Sequence, residues 1–504
     1  MHRCRSSILL SLIISILALG VKGDQPSYPR TGHGCVLLKT TIYCYGGTYG
    51  EGGDPVYYED DRSYALDLSQ EKSVKELNTS WTKFSGGRED IGITWYFAMV
   101  AIPEQNSFVI DGGQRLNILA GTTPSNEPIT EYTDIYNTTG GNGVWLSLPV
   151  GDHQQVYHHT AVYSPTTKRV YLGGGQGRLL VNGKEGAMFF PSKMSIVDLN
   201  GQWTTSSNQL MTINSDTRLH HAAALGPDGN TIYYIGGIYP NETATSATGE
   251  ATFNFSMVDM ASILTYNIND AQWKSVYINT NGDRSSIPVG RMDHTVTLHP
   301  TTKELIVYGG VDMGAYQGPL RDYVYTLDTT TMTWKNQTPN MPDITTGAGP
   351  RFGHAAVLAG NHSLFIIFGS VAFDRPTVDI NVLNINDWTW MDTVPAIVVN
   401  ENDDDDDDTK GVSTGTIVGA VIGSIVGVAI LVGVIVFFLI RRRKRNYYTE
   451  KPMAVDDDDV YNNSNDGMTA AGISDGTTTV YDPVGKRSTH GQNLTSGKNT
   501  HFFC

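Results

Sequence analysis

Cysteine is scarce in this 504-residue chain, which contains four. No Cys/His cluster has the spacing of a metal site, and no Gly-x-Ser-x-Gly elbow is present. The sequence thus indicates no catalytic residue, no metal site and no cofactor. Basic residues are also few, since 35 Lys and Arg stand against 51 Asp and Glu for a formal net charge of -16. This acidity excludes a nucleic-acid partner, because phosphate binding needs a basic surface.

Charge is absent from two apolar stretches near the ends of the chain. The first follows Arg3 and Arg5 and precedes small residues at Gly20 and Gly23, which is typical of a secretory signal peptide, with a retained membrane anchor as the alternative. The second, at 416–440, is long enough to cross a bilayer, and the RRRKR after it predicts a cytosolic tail; a buried core helix is the alternative. The predicted organisation is a signal peptide (1–23), an exported domain (24–400), an acidic, extended spacer (401–411), a transmembrane helix (412–440) and a disordered cytoplasmic tail (441–504).

Glycine, by contrast, is frequent, with 54 residues, and it recurs in phased doublets. An apolar strand precedes each doublet, and a strand often opened by Arg-x-x-His precedes that one. The histidine position lies 15 residues before the first glycine in five units and 13 before it in the first unit. In the second unit Phe97 takes the histidine position. The doublets are Gly46-Gly47, Gly112-Gly113, Gly174-Gly175, Gly236-Gly237, Gly309-Gly310 and, half kept, Gly369-Ser370; the histidines are His33, His159, His221, His294 and His354.

A third strand and a tryptophan follow each doublet. The tryptophans are Trp81, Trp145, Trp203, Trp273, Trp334 and Trp390. Six units that each supply four short strands predict an all-β, six-bladed propeller, because one four-stranded sheet cannot bury both faces alone. The sequence leaves ring closure open, since the segment 395–399 either pairs back onto the first blade or does not.

These elements resemble the kelch repeat. The resemblance rests on the Arg-x-x-His motif, the glycine doublet, an aromatic residue or aspartate in the third strand and the closing tryptophan, and it covers about 30–392. It implies a propeller that serves as a protein-interaction platform. The missing histidine of the second unit and the broken doublet of the sixth predict less regular blades there.

Two histidine pairs, His158-His159 and His220-His221, raise the question of a metal site. One histidine of each pair falls on the repeat phase, and a repeating position indicates packing first. We therefore expect structural histidines rather than metal ligands.

An enzyme is the alternative from another class. Secreted copper-radical oxidases, the galactose and glyoxal oxidases, also use a kelch-like propeller, and similarity to them implies two copper histidines, two tyrosines and a cysteine bonded to one tyrosine. Cys35 and Cys44 face each other on one hairpin if Val36 pairs with Tyr43. In an oxidising compartment they are expected to form a disulfide, which leaves no cysteine for an oxidase.

The long connections between second and third strands emerge at one end of the predicted propeller, at 48–60, 114–132, 176–193 and 238–257. Loops carry binding residues more often than the scaffold does, and aromatic residues and arginines dominate contacts. The candidate contact residues are Tyr57, Tyr58, Arg115, Arg178, Phe189, Phe190, Tyr316 and Arg321. The alternative for each is burial beneath its own loop.

Covalent modification is predicted on both sides of the membrane. Asn-x-Ser/Thr motifs in the exported part mark surface glycosylation at Asn78, Asn137, Asn241, Asn254, Asn336 and Asn361. Candidate phosphorylation sites in the tail are Tyr461, Tyr481 and Ser488. Within the membrane span, glycines four residues apart form a candidate helix-dimer face at Gly415, Gly419, Gly423 and Gly427.

The sequence therefore predicts a single-pass type I membrane glycoprotein with an exported kelch-like propeller. It is expected at the plasma membrane, or in another membrane of the secretory pathway, where the propeller binds an extracellular protein or glycan and the tail signals or anchors. The alternatives are the copper-radical oxidase and a structural surface glycoprotein without a dedicated ligand.

Overall fold

Six antiparallel sheets, each with a row of four strands, form most of the described part of the chain. The computed structural model describes residues 26, 28–51, 54–56, 63–84, 94–115, 133–139, 143–148, 154–181, 184–206, 216–245, 251–280, 282–314, 318–338, 347–373 and 375–398. The first strands of the sheets lie against one another around an axis, and the order of strands across each sheet follows the chain. This is a six-bladed β-propeller, so the predicted fold class and blade number are confirmed.

The first three blades carry additional short elements. Blade 1 contains β1 (Thr31–Leu38), β2 (Thr41–Glu51), β4 (Ser63–Asp67) and β6 (Thr82–Lys83), with β3 (Asp54–Val56) paired to β2, and β5 (Lys72–Ser73) and helix α1 (Val74–Leu77) between β4 and β6. Blade 2 contains β8 (Ala98–Ile102), β9 (Ser107–Asp111), β11 (Thr133–Asn137) and β12 (Val144–Leu148), beside a short pair of β7 (Thr94–Trp95) and β10 (Gln114–Arg115). Blade 3 contains β13 (Tyr157–Ser164), β14 (Arg169–Val181), β16 (Ser195–Asp198) and β17 (Trp203–Thr205), with β15 (Lys184–Phe189) paired to β14.

The last three blades follow the same order. Blade 4 contains β18 (Ala222–Leu225), β19 (Thr231–Ile235), β22 (Ser262–Asn267) and β23 (Gln272–Tyr277), with a separate hairpin of β20 (Ile238–Thr245) and β21 (Ala251–Met257). Blade 5 contains β24 (Thr295–Leu298), β25 (Leu305–Tyr308), β26 (Val324–Asp328) and β27 (Thr333–Asn336). Blade 6 contains β28 (Ala355–Ala359), β29 (Ser363–Ile367), β30 (Ile380–Asn384) and β31 (Thr389–Trp390), followed by β32 (Thr393–Val394).

The core consists of hydrophobic clusters between neighbouring blades. Each of the six adjacent pairs, including blades 6 and 1, buries one such cluster. The repeat tryptophans belong to these clusters: Trp334 of blade 5 is buried and its indole donates a hydrogen bond to the carbonyl of Met260 in blade 4, at 3.0 Å. Burial between blades explains why the sequence pattern must repeat around the whole ring.

Close backbone approach explains the glycine doublets. The amide of the second glycine donates to a carbonyl of the next blade, as Gly113 does to Val156 at 2.9 Å. The first glycine has a left-handed φ, and a Cβ at Gly112 would lie 2.0 Å from the Val156 carbonyl oxygen. A side chain at that position would therefore both strain the backbone and separate the blades.

The predicted register of the sixth doublet is wrong by one residue. The amide of Gly369 donates to Arg30 of blade 1 at 3.0 Å, so Gly369 holds the second position and Phe368 the first. Phe368 keeps the left-handed φ, at 54°, without being glycine. Its ring is fully buried and lies 5.0 Å from that of His33. The histidine-to-doublet distance in blade 6 is thus one residue shorter than in the four blades before it.

Both ends of the propeller segment close the ring. β32 pairs with β5 of blade 1, and the amide of Ile397 donates to Leu68 at 2.9 Å. At the other end, Arg30 forms a β-bridge with Thr377 of blade 6. The C-terminal segment therefore does pair back onto blade 1, which resolves the closure that the sequence left open.

Several predictions fall on other parts of the chain. The signal peptide, the acidic spacer, the membrane span with its four glycines, and the tail with Tyr461, Tyr481 and Ser488 lie outside the described residues. Within the described residues, no helix is long and apolar enough to cross a membrane.

Candidate functional site

One end of the propeller carries the elaborated connections. Neighbouring strands are antiparallel, so in each blade the second strand ends at this end of the propeller and the first strand begins there. The glycine doublets lie at the same end. We call it the hairpin face. The connections 176–193 and 238–257, predicted as loops, are largely strands here: β14 continues past its doublet to pair with β15, and β20 pairs with β21.

The predicted contact residues divide between buried and exposed positions. Phe190 is 8% exposed and packs on Phe253 of the β20–β21 hairpin, with ring centroids 4.9 Å apart, so it joins two hairpins rather than facing a ligand. Phe189 and Arg178 are half-buried, and Arg321 is exposed. Arg115 pairs through its backbone with Thr94. Tyr57, Tyr58 and Tyr316 lie outside the described residues.

Sequence reasoning missed the exposed apolar residues of blades 5 and 6. Met313 is 39% exposed and Phe373 is 63% exposed, and each follows its doublet within four residues. Arg375, in the same short loop as Phe373, is exposed as well. The signal was an apolar residue in a connection directly after a doublet, whereas the sequence analysis chose aromatic residues and arginines, including Tyr316 and Arg321 of blade 5.

The predicted glycosylation sites also differ in accessibility. Asn254, Asn336 and Asn361 are exposed, whereas Asn137 and Asn241 are half-buried and lie on strands. Asn241 and Asn254 pair across the β20–β21 hairpin, so they are not in a loop. The Asn78 amide nitrogen donates to Val74 and to Ile380 of blade 6, at 2.9 and 3.0 Å. A glycan on Asn78 would have to break this contact between blades.

The repeat-phase histidines lie between blades. They are His33, His159, His221, His294 and His354, here called the interblade histidines, and all are at most 8% exposed. His159 Nε2 lies 2.9 Å from an oxygen of Asp111 in blade 2, and His354 Nε2 lies 3.0 Å from the hydroxyl of Thr295 in blade 5. Burial lowers the pKa of His33 to about 3, and the nearby Arg30 contributes to the shift. This placement is the structural role expected of a repeating position.

In each blade, the residue directly before the interblade histidine, or before Phe97 in blade 2, belongs to a second set. These residues meet at the axis on the hairpin face and are called the axial ring: Gly32, Tyr96, His158, His220, Asp293 and Gly353. All six have left-handed φ, between 53° and 67°. For the four that are not glycine this conformation costs about 1–2 kcal/mol each.

Six backbone hydrogen bonds hold the axial ring. Each ring residue donates its amide to the carbonyl of the ring residue in the preceding blade, at 2.9–3.2 Å. Gly32 of blade 1 donates to Gly353 of blade 6, so the circle is closed. The circle fixes the Cα positions of the ring residues and provides the interactions that maintain their strained φ.

The four side chains of the axial ring form the axial cluster: Tyr96, His158, His220 and Asp293. His220 Nδ1 lies 2.8 Å from an oxygen of Asp293, and both side chains are at most 10% exposed. The rings of His158 and His220 stack with centroids 3.4 Å apart, and Tyr96 lies against His158 at 4.1 Å. The two glycines lack side chains, and the ring lines a cavity of about 120 Å³.

Electrostatics favour the neutral form of His158. Burial holds the pKa of His158 well below its usual range, and His220 beside it lowers the pKa further. Burial also raises the pKa of Tyr96, to which Asp293 adds. No lysine or arginine is among the described residues that line the cavity. The centre of the hairpin face is therefore a polar cavity with unprotonated imidazole.

Cys35 and Cys44 are joined as a disulfide in the structure. Cys35 and Cys44 are cross-strand partners, and Val36 pairs with Tyr43 as the sequence predicted. Cys44 belongs to the cluster between blades 6 and 1, and Cys35 packs against it.

A family model matches the second half of the propeller. Residues 248–400 match the family model described as the KLHDC2/KLHL20/DRC7 Kelch-repeats domain, which covers the end of blade 4 and all of blades 5 and 6. The chain thus contains a kelch-repeat domain, folded as a six-bladed β-propeller. No curated protein matches the sequence. A solved structure titled "Structure of YjhT" is 15% identical, covers 73% of this chain and 99% of its own, and has a TM-score of 0.47.

Proposed function

We propose that the propeller is the extracellular binding module of a single-pass cell-surface protein, with the hairpin face as its contact surface. The observation that carries this proposal is the distribution of exposed apolar and cationic residues on that face. Met313 and Phe373 are exposed in the connections that follow the doublets of blades 5 and 6, and so are Arg321 and Arg375 in the same two connections. Aromatic residues, methionine and arginine are enriched at protein interfaces.

On the same face, blades 3 and 4 carry hairpins that pack against each other. Their hairpins, β14–β15 and β20–β21, are joined by a cluster of Phe190, Leu219 and Ile238. Contact residues on packed hairpins lose less conformational entropy on binding than residues on free loops. A partner that spans the face meets firm hairpins on one side and the exposed residues of blades 5 and 6 on the other. The partner is a protein or a glycan, and the formal charge of -16 disfavours nucleic acid.

The membrane part of the proposal rests on the sequence. The signal peptide, the span at 412–440 and the basic RRRKR orient the propeller outward, at the plasma membrane or in another secretory membrane, with a tail that signals or anchors. The glycine-lined helix face supports a homodimer. The exposed Asn254, Asn336 and Asn361 are the glycosylation sites we favour among the six motifs.

The oxidase and the purely structural glycoprotein remain the competing proposals. A disulfide between Cys35 and Cys44 disfavours the oxidase, because a cysteine–tyrosine crosslink needs a free cysteine. The intact mass of the deglycosylated, non-reduced protein distinguishes the disulfide from the cysteine–tyrosine crosslink of the oxidase. A deficit of two hydrogens that reduction restores supports the disulfide, whereas a deficit that survives reduction, with copper bound, supports the oxidase.

Binding itself is tested with the full chain displayed on cells. Cells are probed with arrayed glycans and with a library of secreted proteins, and hits are repeated with a double variant, Phe373→Ser with Arg375→Ser. A matched control changes Leu146→Ser, a residue that is 54% exposed on the outer strand of blade 2. The proposal predicts hits that the face variant loses by at least about tenfold and the control keeps. Hits that changes across the hairpin face leave unaffected contradict the hairpin face as the contact surface, whereas no hit in either library argues for the structural glycoprotein.

A further inference from the structure

We propose that the axial cluster is a binding site for one divalent transition-metal ion of the zinc and copper class, with His158, His220 and Asp293 as ligands. One potential ligand atom from each of these residues lies within 4.8 Å of the other two. The three residues come from blades 3, 4 and 5, so only the closed propeller brings them together. This inference concerns the centre of the hairpin face and does not depend on which partner that face binds.

The chemistry of the donors selects the metal. Two imidazoles and one carboxylate are a ligand set for zinc, copper and nickel, and they leave further positions open for water or substrate. Calcium and magnesium prefer sites built of oxygen ligands alone. In the Irving–Williams order Cu²⁺ binds such a site more tightly than Zn²⁺.

The geometry requires little movement. Bonds from zinc to nitrogen and oxygen of about 2.0–2.2 Å place ligand atoms about 3–4 Å apart. The two atoms His220 Nδ1 and Asp293 Oδ1 share a hydrogen bond at 2.8 Å, so a bound ion would replace the proton between them, release it to solvent and move the two atoms slightly apart. His158 is stacked on His220, and one of its ring nitrogens lies within 4.8 Å of a ligand atom of each of the other two residues. The cavity of about 120 Å³ accommodates an ion with a few waters, each of which takes about 30 Å³.

The backbone at the site has an unfavourable conformation. Four non-glycine residues have left-handed φ at the axis, although glycine occupies the same position in blades 1 and 6. Strained conformations that the surrounding structure enforces are concentrated at functional sites. The cavity lining contains Asp293 but no described cationic side chain of lysine or arginine, which suits a bound cation.

A polar plug is the competing explanation. In that case the histidines, the tyrosine and the aspartate only satisfy one another's hydrogen bonds and fill the axial space. The plug predicts no selective affinity for metal ions, whereas the proposed site predicts one ion for each chain.

The test uses the purified full chain without a polyhistidine tag, stripped with EDTA and dialysed. Zn²⁺ is titrated against a chromophoric chelator, and Cu²⁺ is added to a parallel sample for electron paramagnetic resonance. We expect one equivalent of Zn²⁺ with a Kd of about 1 µM or below. The Cu²⁺ spectrum should show nitrogen hyperfine coupling from two imidazoles.

The variants exploit the glycines already present in the ring. His158→Gly and His220→Gly keep the left-handed backbone and the circle of hydrogen bonds, and Asp293→Asn keeps the shape of the side chain. Each should weaken Zn²⁺ binding by at least about tenfold. The control is His362→Ala, which removes a half-buried histidine at the opposite end, between β28 and β29, and should change nothing. Thermal melting in EDTA checks that every variant is folded.

Two results would overturn the proposal. One is the absence of saturable binding by the wild-type chain for both Zn²⁺ and Cu²⁺ at 100-fold excess over protein. The other is binding that persists in the double variant His158→Gly with His220→Gly. If a variant does not fold, the wild-type Cu²⁺ spectrum decides, because a spectrum without imidazole coupling contradicts the assigned ligands.

Discussion

Consecutive histidines in this propeller have opposite surroundings. His159 lies between blades 2 and 3 against Asp111, at a position that is histidine in five blades, and it contributes to the core. His158, one residue earlier, lies at the axis, at a position that four residue types occupy in the six blades. Within a repeat, a position that keeps its residue type reports what every blade needs. At the axial position the residue type varies while the left-handed φ is kept. Side chains there meet only when the blades are assembled into the ring, so they indicate a role of the whole propeller rather than of one blade.

The largest expected effect lies at a repeat-phase position. Gly112→Ala places a Cβ about 2.0 Å from the carbonyl oxygen of Val156, at a φ of +62°. The blades must separate to relieve the clash, so we expect a loss of at least about 4 kcal/mol in the free energy of unfolding. Urea denaturation measures the loss. Gly282→Ala is the control, since its φ is +87° but no described atom lies within 4 Å of the added Cβ, and its smaller loss gives the backbone strain alone.

Substitution of His159 should have the next largest effect. His159→Ala leaves Asp111 buried without its imidazole partner, and the side chains of both residues are fully buried. We expect a loss of about 3 kcal/mol, mostly from the carboxylate that remains buried. The double variant His159→Ala with Asp111→Ala should recover part of this loss. If the single variant is as stable as wild type in urea, the interblade role is contradicted.

Acid should destabilise the propeller through the buried imidazole of His33. The folded-state pKa of His33 is about 3, against an ordinary value of 6.5, so below pH 6.5 the unfolded chain binds a proton that the folded chain does not. Stability is complete above pH 6.5 and falls by about 1.4 kcal/mol per pH unit for this histidine as the pH drops toward 3. His33→Phe copies Phe97 of blade 2 and should flatten the dependence of unfolding free energy on pH. An unchanged slope in that variant would show that His33 is not responsible.

The smallest effect on stability is expected at the axis. His158→Gly removes a strained residue but adds glycine entropy to the unfolded chain, so the unfolding free energy in EDTA should change by less than about 1 kcal/mol. The same variant should lose metal affinity. If His158→Gly loses more unfolding free energy than His159→Ala, then His158 is the residue with the larger role in packing, and the proposed difference between the two histidines is contradicted.

The sequence allowed the repeats, the blade number and the Cys35–Cys44 pairing to be predicted, because each depends on local spacing. The sixth doublet was misplaced since Phe368 has a glycine-like backbone that its letter does not reveal. Phe190 was taken for a contact residue because nothing in its own hairpin shows that the next hairpin covers it. The axial cluster joins residues about 60 positions apart, and it becomes visible in sequence only when the residues before the interblade position are aligned.

The closed circle of amide-to-carbonyl hydrogen bonds at the axis fixes the diameter of the central opening. Its circumference is set by six nearly equal links, none of which can lengthen much before its hydrogen bond is lost. The central opening therefore does not widen gradually: it keeps one diameter until a link breaks. Blades 1 to 6 are held at the same radius by a structure that involves no side chain, which leaves the side chains there to vary.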